Sequence, residues 1–130
     1  MKITDINKAG NWYSIWTEEL KASLLNQQDN SQVGEKLILE TQNFKVWSIC
    51  LPKGAKFPFH KHCKPYFYTA INAGKSRSYY DDGSVKEIEY KANDIKYFND
   101  LSEDNFFIHN LENIGDTTLV FTTVEFKKET

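Results

Sequence analysis

The sequence predicts an all-β domain behind a short helical N-terminal arm. Three observations carry that prediction. From Lys36 onward, short runs of strand-forming residues alternate with turn residues at close, regular spacing, the pattern of a sandwich or barrel. Aromatic residues make up 15% of the chain, which favours a β-rich interior filled by broad side chains. The pair Asp82-Gly83, set between two such runs, is a strong hairpin signal because a tight hairpin turn needs positive φ.

The elements follow in chain order. In the segment 1–32, Trp12, Tyr13, Ile15, Trp16, Leu20, Leu24 and Leu25 recur at helical spacings, so 11–28 reads as one amphipathic helix in an arm that packs on the main domain or on a second subunit. Gln27-Gln28-Asp29-Asn30-Ser31 is a polar break, and 33–130 is the barrel domain. Strands are expected at 36–41, 44–51, 57–62, 66–72, 75–80, 85–90, 95–98, 106–111 and 118–126. Turn residues separate them: Pro52-Lys53-Gly54, Asn72-Ala73-Gly74, Asp82-Gly83, Ala92-Asn93-Asp94 and Asn113-Ile114-Gly115-Asp116. In the last strand both faces are partly apolar, as in a sheet packed against a second layer.

Composition excludes several functions. With 130 residues the chain suits one domain with a buried core. A net charge of −2, with basic residues interspersed among acidic ones, gives no footprint for nucleic acid. No apolar run approaches the ~18–20 residues that span a bilayer, and the N-terminus has no cleavage pattern, so no membrane partner is expected. Cys50 and Cys63 lack CxxC spacing and read as reduced thiols of a cytoplasmic protein. Phosphate-binding loops, nucleophile elbows and HExxH helices are absent from the sequence.

The histidines are the chemical signal. There are three, and all can be read as one metal site. His60 and His62 are two apart on a predicted strand and project to the same face. His109 lies on a distant strand and can complete a three-nitrogen face for a divalent transition metal such as Fe, Zn, Ni, Mn or Cu.

Gly54-x5-His60-x-His62, followed after a gap by Gly74, resembles the first motif of the cupins, and His109-Asn110-Leu111-Glu112-Asn113-Ile114-Gly115-Asp116 resembles the end of the second. The resemblance covers about residues 36–126. It implies a double-stranded β-helix, a jelly-roll barrel whose motif histidines point inward and hold a metal at the mouth. The sequence departs from the motif where a glutamate would follow the second histidine: Tyr66 and Phe67 stand there. Asn93-Asp94 replaces the glycine-aspartate pair that usually opens the second motif, and asparagine tolerates the left-handed backbone that turn needs.

Tyr66, Tyr68 and Phe98 are expected to line the pocket, and the sole arginine, Arg77, either clamps a ligand anion there or pairs with Glu87 or Glu89 across the sheet. Pro58 leaves open whether Phe57 and Phe59 face away from the histidines. The sequence thus points to a cytoplasmic homodimer that holds a metal through His60, His62 and His109 and acts on a small polar metabolite by dioxygenase, isomerase or lyase chemistry. The alternative is a small-molecule-binding barrel that works with no metal and no catalysis. The catalytic residues are left unassigned.

Overall fold

The computed structural model describes residues 1–128; residues 129 and 130, the end of the predicted barrel segment, lie outside the described residues. Ten strands and one helix follow in order: β1 (Lys2–Asn7), α1 (Glu18–Asn26), β2 (Lys36–Glu40), β3 (Phe44–Leu51), β4 (Lys56–His62), β5 (Tyr66–Ala70), β6 (Gly74–Tyr79), β7 (Val85–Tyr90), β8 (Ile95–Phe98), β9 (Phe107–Asn113) and β10 (Leu119–Phe126). The nine strands expected from the sequence all form, each within two residues of its predicted ends.

They build two antiparallel five-stranded sheets, ordered β1-β7-β6-β9-β4 and β2-β3-β10-β5-β8. Period-two alternation sends one set of side chains from each sheet into the space between them. One end of that space is filled by Ile49, Leu51, Phe57, Ala70, Ile88, Tyr90, Leu111, Leu119 and Phe121. The other end is hollow, and the histidines stand there.

Two turns fix the frame. The Asp82-Gly83 hairpin forms as predicted, with Gly83 at φ 91°, its N–H donating to the Tyr80 carbonyl (2.9 Å). Asn93 takes the left-handed conformation expected of it, at φ 71°. The Asn113 amide donates to the carbonyls of Leu51 (2.8 Å) and Thr117 (2.7 Å), tying the end of β9 to β3 and to the loop before β10. A Cβ at Gly74 would come within 2.5 Å of the Leu119 side chain, which would have to shift to admit it.

The arm differs from its prediction. Of the helix expected over 11–28, only Glu18–Asn26 forms. Lys2–Asn7 forms a strand that pairs with β7, and the helix starts only at Glu18, where the Thr17 hydroxyl accepts from the Leu20 N–H (3.1 Å) and caps it. Ahead of the cap, Ser14 sits at φ 58°, which breaks helical continuity. The helical spacing was misleading because a bend over the barrel buries Trp16 and half-buries Trp12 and Ile15. Trp16, Leu24, Phe59, Tyr79, Val85 and Ile108 form a second core on the outer face of the first sheet, and Trp12, Ile15 and Leu20 pack against it. Trp16 Nε1–H donates to the Gly83 carbonyl (2.8 Å), latching the arm to the hairpin.

Candidate metal centre

The site begins with a defect in β4. Proline has no N–H for the sheet ladder, and at Pro58 the pairing of β4 with β9 shifts register between Phe57 and His60. The bulge breaks period-two parity. Phe57 points inward into the first core and Phe59 outward into the second. His60 and His62 then resume the inward direction. The sequence could not decide this question, and the structure resolves it by putting the two phenylalanines on opposite faces.

Pro58 also orients His60. Its carbonyl lies 2.7 Å from His60 Nδ1. A carbonyl can only accept, so Nδ1 carries the proton and Nε2 keeps its lone pair. Burial pushes the His60 pKa down to about 4, so the ring is neutral near pH 7. β4 is an edge strand, and the segment after α1 closes that edge: the Asn30 side chain donates to the Phe59 carbonyl (2.8 Å), and Lys61 N–H donates to the Asn30 carbonyl (2.7 Å).

His109 lies directly opposite His60 in the β4–β9 register, and His62 lies opposite Phe107. The three rings converge, with centroids 4.8 Å apart for His60–His62, 4.7 Å for His60–His109 and 5.1 Å for His62–His109. Each offers one nitrogen, and these nitrogens all lie within 4.8 Å of one another. His62 is held well below the usual histidine pKa by burial and then by His60 and His109; His109 is lowered by burial and then by His60. Nδ1 of His62 and Nδ1 of His109 are buried without a hydrogen-bond partner. A buried polar atom left unpaired costs about 1–3 kcal/mol, so a pair of them beside a third neutral imidazole fits a metal as the missing partner.

Tyr66 occupies the place of the absent carboxylate. Its ring stacks on His62, with centroids 4.0 Å apart and planes 14° apart, and on Phe98 at 4.8 Å and 14°. Burial, then the neighbouring acidic groups Tyr80, Tyr68, Tyr90 and Glu125, push its hydroxyl well above the usual phenol range. Without a metal it stays a neutral phenol, stacked as a wall of the site. No carboxylate joins the three histidines among the described residues.

The histidines open on a cavity of about 280 Å³. Tyr66, Tyr68 and Phe98 line it. Arg77 does not, and its placement in the pocket is corrected. It has outward parity on β6, opposite Glu87, and its Nε donates to Glu87 Oε2 (2.9 Å). The sequence reading of the site missed Tyr80, whose ring centre is 5.2 Å from that of His109, and two lysines of the lining, Lys86 and Lys96. Parity could have found Lys86, since it shares the inward face of β7 with Ile88 and Tyr90. Cys63 lies outside the lining and its thiol donates to Glu103 Oε1 (3.3 Å).

Among solved structures, the chain is similar to a cupin domain from Bordetella pertussis, at 22% identity and a TM-score of 0.61 over 72% of this chain and 91% of that one. The chain has the cupin fold. A protein with a double-stranded β-helix domain from Klebsiella pneumoniae matches at 23% identity and a TM-score of 0.55, over 70% of this chain and 73% of that one. A cupin family protein from Methanocaldococcus jannaschii matches at 21% and 0.55, over 70% and 76%. No family model and no curated protein matches the sequence. The cupin fold accounts for the jelly-roll arrangement of the two sheets.

Proposed function

We propose that this cupin holds one divalent transition metal through His60, His62 and His109 and presents it to a small polar metabolite in the adjoining cavity. The observation that carries the reading is the convergence of three buried, neutral imidazoles, two of them with Nδ1 unpartnered. An open three-histidine metal would supply Lewis-acid polarisation or oxygen activation, the chemistry of a dioxygenase, isomerase or lyase. The chain's own residues do the rest. Pro58 fixes the tautomer of His60, and Tyr66 and Phe98 wall the histidines on one side. Softer nitrogen donors without a carboxylate suit Zn, Fe, Ni or Cu better than Mg or Ca.

Elemental analysis after chelation and resupply tests this. About one metal per chain in the wild type, lost in His62→Gln and His109→Gln, is the expected result. Failure of any of these metals to rebind would overturn it.

A second reading is a metal-free binding module. It is favoured by the stack of Tyr66 on His62 where a carboxylate ligand would otherwise stand. It predicts that chelation leaves ligand binding unchanged; metal-dependent turnover would sink it.

We also propose a homodimer formed through the outer face of the second sheet. There Phe67, Tyr97 and Phe126 cluster with centroids 6.1–6.5 Å apart, next to exposed Ile95. The arm is spent on its own barrel. Sedimentation of the wild type against Tyr97→Lys tests this, with a monomeric wild type as the contrary result. Among the described residues no helix is long and apolar enough to cross a membrane; unpaired Cys50 and Cys63 support the proposed cytoplasmic setting.

A further inference from the structure

The cavity that adjoins the histidines carries two cations from opposite sheets. Lys86 stands on β7 in the first sheet and Lys96 on β8 in the second, and both line the cavity. Both are half-buried. Neither makes an ion pair among the described residues, whereas Arg77, Lys56, Lys61 and Lys75 on the same barrel all have carboxylate partners. What each ammonium does have is an aromatic floor. Lys86 Nζ lies 5.7 Å from the Tyr80 ring centre and Lys96 Nζ lies 5.2 Å from that of Phe98. Those two rings lead back to the histidines: Tyr80 is against His109, and Phe98 stacks on Tyr66, which stacks on His62.

The one carboxylate in the lining is Asp82. Its Oδ1 accepts from the Ser84 N–H (2.9 Å) and from the Ser84 hydroxyl (2.6 Å), and it bridges to neither lysine. Lys96 senses Lys86: burial, and then the charge of Lys86, lower the Lys96 pKa. Two half-buried ammoniums with no protein counter-ion leave a positive field inside a low-dielectric hollow, which attracts and concentrates an anion. Between them and the histidines the walls are apolar and aromatic, with Ile88, Tyr90 and Phe121 among them.

We infer that the cavity takes a small amphiphilic oxyanion, whose charged head is held between Lys86 and Lys96 and whose apolar body lies along the aromatic walls toward His60, His62 and His109. This rests on the cavity being the ligand site but not on the presence of a metal. The head can be a carboxylate or a phosphate ester, since both offer oxygens to two ammonium groups. Lys86 and Lys96 act as binding residues that choose the substrate class.

The test uses three probes of one shape on the full chain after chelation: benzoate, phenyl phosphate and the neutral benzamide, each followed by calorimetry at millimolar concentration. At least one oxyanion binds at least about tenfold more tightly than benzamide, the margin expected of charge-assisted hydrogen bonds. Which of the two binds tells the carboxylate from the phosphate ester. Lys86→Met and Lys96→Met each weaken that oxyanion about tenfold or more, leave benzamide unchanged, and retain the metal stoichiometry of the wild type. Lys86→Arg and Lys96→Arg recover most of the affinity.

Benzamide binding as tightly as both oxyanions would overturn the inference, and that comparison needs no variant to fold. So would the absence of binding by either oxyanion, or methionine variants that keep full affinity. Metal binding is measured separately, so a metal-loaded protein that ignores oxyanions refutes this inference alone.

Discussion

The two faces of the first sheet carry opposite burdens. On the outer face, the arm lays Trp16 and Leu24 over Phe59, Tyr79, Val85 and Ile108 and closes a dry apolar layer. On the inner face of the same strands, a residue or two away, stand His60, His62, His109, Ser78 and Tyr80 around a hollow. One face is packed as a core, while the other leaves polar atoms buried and unpartnered. The difference shows how a barrel of this size tolerates an unsatisfied site. The arm adds a second core behind the histidine strands, so the inner face is free to be poor in packing and rich in ligand atoms.

The largest expected effect lies on the outer face. Trp16→Ala removes a buried indole that latches the arm to Gly83, and it should destabilise the protein by about 3–5 kcal/mol in a urea titration. The metal content of the folded fraction should not change. Loss of metal at full folding would mean that the two faces are not separable.

Acid should act through the inner face. The His60 pKa is lowered from 6.5 to about 4 in the folded chain, so between those values the unfolded chain binds a proton that the folded chain does not. Stability of the chelated protein should therefore be full above pH 6.5 and fall as the pH drops toward 4, with His62 and His109 adding in the same direction. Urea titrations at successive pH values check this, and a flatter profile is expected in His62→Leu. A stability that rises on acidification would contradict it.

His62→Leu sharpens the comparison at neutral pH. It removes a buried imidazole whose Nδ1 has no partner, so the chelated variant should match the wild type within about 1 kcal/mol, or exceed it. It should nonetheless lose the metal. A loss of several kcal/mol would make His62 a packing residue.

The smallest effect belongs to Arg77. Its pair with Glu87 is partly exposed, so Arg77→Gln should cost about 0–1 kcal/mol and leave metal and ligand binding as they were.

The sequence carried much of this because the inner-face parity of short strands survives without knowledge of packing. His60, His62, Tyr66, Tyr68 and Phe98 follow from period two and the two-histidine step. Three features did not follow. The strand at Lys2–Asn7 has exposed, mixed residues, and only pairing with β7 makes it a strand. The opposite directions of Phe57 and Phe59 depend on a bulge, and a proline permits a bulge without specifying where the register shifts. Arg77 shows the limit of reasoning from residue chemistry: its fork suits a ligand anion, but its parity on β6 puts it on the outer face, in reach of Glu87.

The central claim is that three imidazoles share one metal. X-ray absorption spectroscopy on the zinc-loaded protein tests it most directly. The account predicts a first shell with three imidazole nitrogens at about 2.0–2.1 Å, reduced to two in His109→Gln. A shell of oxygen donors with fewer than three imidazoles, unchanged by that substitution, would contradict it.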